Sequence, residues 1–260
     1  MDSQTILEIT AALLATFAIV QGFEFLALKE SYSDHGVWRW PELEPELCGQ
    51  NWLLKFIFGF ALKAKNFYLL NYLRIFVAFW LLWDPSLLGI SFILCIHILT
   101  LLRWRGSFNG GSDSMHLMIL ICVDLCFYFD KSPKLITGCL WYITIQLCLS
   151  YFKAGYFKLK NPTWRNGLAL KNFLQGPKYA TTDSVDILLR RRFLLVAASW
   201  LVLLFELSFP LAVLNISMAF FYIAAGAFFH VCNIYVFGLN RFFFAWIAAY
   251  PALIFISSSK

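Results

Sequence analysis

Long apolar runs separated by short polar breaks dominate this chain. Apolar side chains continue with few interruptions over residues 5–28, 67–83, 86–102, 114–129, 135–157, 193–214, 216–236 and 242–257. A helix needs about 20 apolar residues to cross a bilayer, and inside lipid its backbone groups must be satisfied within the segment. The pattern predicts an all-α fold: a polytopic membrane helix bundle of about eight transmembrane helices, with no large soluble domain. The strict alternation of a membrane barrel is absent from it. The shorter stretch "WLLKFIFGFAL" at 52–62 cannot cross, and is expected to lie at the membrane surface or to pack under the bundle.

The polar breaks set the organisation. Residues 1–66 read as an N-terminal transmembrane helix with an interfacial loop and a short amphipathic helix, and 67–257 as the transmembrane core. The first run opens "MDSQTILEIT", without a basic leader or a small-residue cleavage site, so it is read as a membrane helix and not as a signal peptide. Residues 29–51 mix Trp, Pro and acids, which predicts an interfacial loop with Trp anchors. The break at 158–192 contains "GLALKNFLQGP", which predicts a short amphipathic helix ended by Gly176-Pro177.

Composition agrees: 60% of residues are hydrophobic and only 14% charged, against about 25% charged in a soluble domain. The breaks at 29–66, 103–113, 158–192 and 237–241 hold 16 of the 21 Lys and Arg residues. The positive-inside rule predicts that these face the cytoplasm and that both termini lie outside. This basic excess suits topology and anionic headgroups, so membrane lipid is the expected partner and nucleic acid is not. Six of the seven cysteines fall in predicted spans, with Cys48 in a loop. Cys122 and Cys126 share a helix face, but no partner set completes a zinc pattern, and all seven are read as small apolar fillers.

Polar groups inside the spans are costly and tend to face a partner or a cavity. Arg74, Asp124, Lys153, Glu206 and His230 stand out. Arg74 either pairs with Asp124 or Glu206 to pin the bundle or serves a site. Glu8 and Glu24 sit near span ends, where they can snorkel. His97 reads as a hydrogen-bonded core residue, and Asp113 as the N-cap of the helix carrying His116. No pair of ligands has metal spacing. Lys158, where an apolar run turns basic, has two readings. It is an ordinary solvated charge or, shielded by Tyr156, Phe157 and Trp164, an amine that can act as a neutral base.

Several of these segments occur in one order that is familiar. "YFKAGYFKLKNPTWRNGLAL", preceded by "NYLRIFVAFWLL" and "RWRGSFNGGSDSM" and followed by "LLFELSFPL" and "FFHVCNIYVFGLNRFFFAWIAAYPALIF", resembles the membrane core of the vitamin K-dependent γ-glutamyl carboxylase and its bacterial relatives, the horizontally transferred transmembrane (HTTM) family. The resemblance covers about residues 67–257. It implies that Lys158 is a base acting on a quinone cofactor of the vitamin K or menaquinone type in its hydroquinone form. By the same resemblance Asp113 and His230 belong to the catalytic group, and Asn233, Trp164, Glu206 and Arg74 line the cofactor cavity. It further implies a bacterial inner-membrane location.

Two departures shape the functional expectation. The loop supporting the lysine has "NGGSD", so Asp113 or Ser112 stands where the carboxylase has histidine, and an acid there would pair with Lys158. The chain also stops at Lys260, before any counterpart of the large soluble domain that presents glutamate, so complete protein γ-carboxylation is not expected. Two readings result. One is a quinone- or lipid-linked membrane enzyme acting on a small peptide or lipid by carboxylase-related chemistry. The other is a non-catalytic membrane subunit of a peptide-maturation or toxin-export system, working with a partner protein, in which Arg74, Glu206 and Lys153 are interhelical polar glue.

Overall fold

A computed structural model of the chain describes residues 2–49, 51–104, 110–175 and 183–258. Among these residues there is no strand. The helices in order are α1 (Ser3–Ala27), α2 (Trp40–Cys48), α3 (Trp52–Ala61), α4 (Ala64–Leu81), α5 (Leu87–Trp104), α6 (Gly110–Tyr128), α7 (Pro133–Lys160), α8 (Pro162–Arg165), α9 (Leu168–Leu174), α10 (Asp183–Arg190), α11 (Arg192–Ser208), α12 (Ile216–Phe237) and α13 (Asn240–Ser258). Short polar side chains start several of them by accepting from otherwise unpaired amides. Asp2 caps α1 through the Thr5 amide at 2.7 Å, Asn51 caps α3, Asn161 caps α8 and Asn215 caps α12.

Among the described residues, seven helices are long and apolar enough to cross a membrane. The eighth expected crossing, α4, forms where predicted but carries Lys65, Asn66, Asn71 and Arg74, which lower its apolar character. Asn71 and Arg74 are fully buried, so this polarity is turned into the protein and away from lipid.

The chain divides into two compact units, residues 1–139 with 244–251, and residues 140–243 with 252–260. In the first unit α1 lies along α4 and also touches α6, while α5 packs on both α4 and α6. Asp130 and Lys131 turn the chain after α6 in the left-handed region, at φ 48° and 53°. Lys131 Nζ lies 3.5 Å from a Glu8 carboxylate oxygen near the start of α1. That pair is exposed and contributes little to stability.

Residues 29–49 differ from the expected interfacial loop over 29–51, and α3 forms within the short stretch expected at 52–62. Together these segments fold into a cap whose core joins Tyr32, Trp40, Leu43, Cys48 and Leu62 to Phe25, Phe67 and Trp104. Trp38 stacks on Trp104 at 5.2 Å and Trp40 is buried, so neither is a lipid anchor. The cap closes over Arg103, which is fully buried, donates to the Tyr32 carbonyl at 3.1 Å and lies over the Tyr32 and Phe67 rings. A planar, weakly hydrated guanidinium suits such an aromatic setting.

In the second unit α8 and α9 pack against α11, and α10 against α9 and α11. At Pro210, which has no amide hydrogen to continue the ladder, α11 gives way to a 3₁₀ turn over Phe209–Val213 that packs on α12. The amphipathic helix expected after Lys158 is α9. Its expected stop at Gly176-Pro177 lies outside the described residues.

Candidate functional site

The basic end of α7 meets α11 because of one small residue. A Cβ on Gly155 would stand 2.9 Å from the Leu207 backbone nitrogen and 3.0 Å from Glu206 Cβ. Hydrogen at this position therefore lets the two helices approach closely. One turn further on, Lys158 Nζ reaches Glu206 Oε1 and Oε2 at 2.5 and 2.6 Å. The glutamate side chain is only 4% exposed and the lysine 20%. The carboxylate is thus enclosed and the amine is open on one side.

Trp164 covers the amine, with its ring centroid 5.2 Å from Nζ. The elbow that places it is tied to α11. Ser199 Oγ donates to the Trp164 carbonyl at 2.5 Å, and Trp200 Nε1 donates to the Arg165 carbonyl at 3.1 Å. Gly167 then turns the chain into α9 at φ 78°, with space for a Cβ closed by the Val196 nitrogen at 3.0 Å and the Leu195 carbonyl carbon at 3.1 Å. The spacing Trp164-x-x-Gly167 reflects this turn. An amine hydrogen-bonded to a carboxylate on one side and reachable on another can exchange its proton with either neighbour.

Two turns back along α7, Tyr151 shares a 2.8 Å hydrogen bond with His230 Nε2 and stacks on Phe209 at 4.0 Å. His230 is buried on α12. Asn233, one turn later, is half-buried, and its carbonyl helps to end that helix at Gly238. Nearer the start of α7, an apolar groove of about 400 Å³ is bordered by Trp141, Thr144, Ile145, Cys148 and Phe152, with Pro210 opposite. Thr144 is buried, and its hydroxyl has no hydrogen-bond partner among the described residues.

The other expected site residues belong to the first unit, in a buried polar cluster of their own. Arg74 on α4 donates to Gln21 Oε1, and Gln21 Nε2 donates to Asp113 Oδ1 at 3.1 Å. His97 Nε2 donates to the Asp113 carbonyl at 3.1 Å. His116 stacks on Phe17 at 3.7 Å and meets the His97 ring edge-on at 4.7 Å. Asp113 lies within the first turn of α6, not at its N-cap. A carboxylate there still complements the positive end of the helix dipole. Asp124 accepts from Ser91 at 2.6 Å. The partners expected for Arg74 are therefore engaged elsewhere, Asp124 by Ser91 and Glu206 by Lys158. Lys153 is exposed on α7, within snorkelling reach of the basic end of the helix.

The residue that sequence reasoning missed is Gln21. An amide inside the first apolar run was its only signal, and it bridges a guanidinium and a carboxylate. Cys122, Cys126 and Cys139 are buried as free thiols. Among the described residues no group of three or more His, Cys, Asp or Glu side chains could hold a metal ion.

No curated protein and no solved structure matches the chain. Residues 118–259 match the HTTM domain, a range that contains Lys158, Trp164, Glu206, His230 and Asn233 and excludes Arg74 and Asp113. More than half of the sequence lies in that match, and the chain belongs to the HTTM domain family.

Proposed function

We propose that this membrane protein is an enzyme whose acid–base centre is the Lys158–Glu206 pair. The observation that carries this reading is the asymmetric enclosure of the pair, with an almost buried carboxylate behind an amine that remains reachable. In a setting of low dielectric, ionised and neutral forms of such a pair lie closer in energy than they do in water. Glu206 can take the ammonium proton, and the neutral amine can then accept one from a substrate hydroxyl. Trp164 forms the flat wall beside that amine, and Gly155, Gly167 and Ser199 position both partners.

The cofactor implied by the family resemblance is a quinol, and the donor set fits one. An indole face beside a reachable amine suits a flat hydroxylated ring. When bound, a quinol supplies an ionisable hydroxyl and reducing equivalents. Lys158 would hold the proton released, while Glu206 keeps the one it took from the ammonium.

A second reading rests on the same ion pair. Both Glu206 oxygens are engaged by one lysine, as in polar glue between helices, and the chain would then serve as a subunit beside a partner protein. The two separate in one experiment: purified protein in lipid nanodiscs, a reduced naphthoquinone, dissolved oxygen, and the protein-dependent rate of quinol loss. The enzyme reading expects activity in the native chain and none in Lys158→Ala or Lys158→Arg, since arginine keeps the charge and hydrogen bonds but does not become a neutral base. Activity retained in Lys158→Arg would refute a base role and favour the structural pair.

A further inference from the structure

Helix α3 turns its largest side chains outward. Trp52, Phe56 and Phe60 are 76, 72 and 70% exposed, and Leu53 and Ile57 are 47 and 46% exposed. At about 100° per residue, these five fill one continuous arc roughly 140° wide. The opposite side, with Leu54, Phe58 and Ala61, packs into the cap core. The helix has ten residues, a length of about 15 Å and half of what a crossing needs. It carries no acid. Lys55 flanks the arc, and Lys63 and Lys65 follow it, all three exposed. After one turn the chain passes from α3 into α4, which packs against it and exposes Tyr72, Phe76 and Trp80 among membrane-spanning neighbours.

These features together specify an occupant. An apolar arc rimmed by lysines and packed beside a helix with exposed aromatics fits the boundary between headgroups and acyl chains. The basic rim complements anionic phosphates there. We propose that α3 is an in-plane membrane anchor that seats Trp52, Phe56 and Phe60 at the headgroup–acyl boundary of an anionic bilayer. It thereby fastens the 29–62 cap to the membrane surface. This inference is independent of the chemistry at Lys158.

The test uses the full chain with Cys95, the exposed cysteine, replaced by serine, and Phe56→Cys labelled with an environment-sensitive nitrobenzoxadiazole dye. The protein is placed in nanodiscs of phosphatidylcholine alone or of phosphatidylcholine with phosphatidylglycerol. Quenching is measured with shallow and deep nitroxide lipids and with aqueous iodide. The anchor predicts at least twofold stronger quenching by the shallow nitroxide than by the deep one, and little by iodide. It also predicts a larger shallow effect in anionic discs, which Lys55→Glu with Lys63→Glu removes. Stronger deep quenching would mean insertion across the membrane, and dominant iodide quenching would mean a water-exposed face. Protection from all quenchers would mean a covering protein or a second copy. Each of these three results overturns the proposal, and a charge reversal without effect overturns its anionic-lipid part.

Discussion

Replacing Lys158 by methionine, which keeps much of the side-chain volume, leaves Glu206 without its cation while its side chain stays 4% exposed. Breaking a buried pair from one side costs about 3–5 kcal/mol, because the remaining group must be desolvated alone or take up a proton. The converse change, Glu206→Met, is expected to cost less, about 1–2 kcal/mol, since the lysine is 20% exposed and its amine can turn toward water or headgroups. The double variant removes both desolvation costs and is expected within about 1–2 kcal/mol of the native chain. The cycle therefore predicts a coupling energy of about 4 kcal/mol between the two sites. Thermal unfolding in one detergent or nanodisc system measures it. For a chain of this size each kcal/mol corresponds to about 2–4 °C, so Lys158→Met should lower the midpoint by roughly 10 °C and the double variant should recover most of that. Strictly additive losses, or a larger loss for Glu206→Met than for Lys158→Met, would refute the reasoning that the carboxylate is the enclosed member.

Three further outcomes follow from the geometry. Gly155→Ala sets a methyl group against the Leu207 backbone nitrogen, and overpacking of this kind should cost about 1–3 kcal/mol in the same unfolding assay, with lower quinol turnover if Glu206 is displaced from Lys158. Gly167→Ala combines a φ of 78° with backbone atoms at 3.0–3.1 Å. It should destabilise more than a matched alanine change at the solvent-facing Gly49, where nothing meets the added carbon. Gln21→Leu removes the amide between Arg74 and Asp113 and should cost about 1.5–3 kcal/mol, the range for hydrogen bonds to charged groups. Gln21→Glu is expected to recover less than an intact amide does, because Asp113 then faces a second carboxylate; equal stability of the two variants would count against the bridge.

The crossings were legible because lipid demands long apolar helices whatever they pack against. Which way each helix faces was not. Lipid is as apolar as the interior, so Phe76 and Trp80 on α4 point outward while Phe67 on the same helix is fully buried, with no compositional contrast to separate them. The charged positions were visible one by one, and Lys158 and Glu206 both stood out from their surroundings. Their pairing was not legible, since it joins residues far apart in sequence through a close approach that depends on Gly155. Trp38 and Trp40 were misplaced for a related reason. Tryptophan suits a membrane interface and an aromatic core equally well, and here the buried Arg103 and the cap around it draw both inward. The large exposed aromatics of this region are instead Trp52, Phe56 and Phe60 on α3.

Ser199, Trp200 and Glu206 all stand on α11, so the indole over the amine and the carboxylate behind it are both tied to that helix. The elbow that bears Trp164 is joined to α7 as well, through the Asn161 amide on the Lys158 carbonyl and the Trp164 amide on the Asn161 carbonyl, so it straddles the two helices that carry the pair. The sliding register of α7 against α11 is then the coordinate that sets the amine's surroundings. Bilayer thickness acts on the tilt of spanning helices, and a changed tilt of α11 against α7 would alter the Lys158–Glu206 contact without any loop moving.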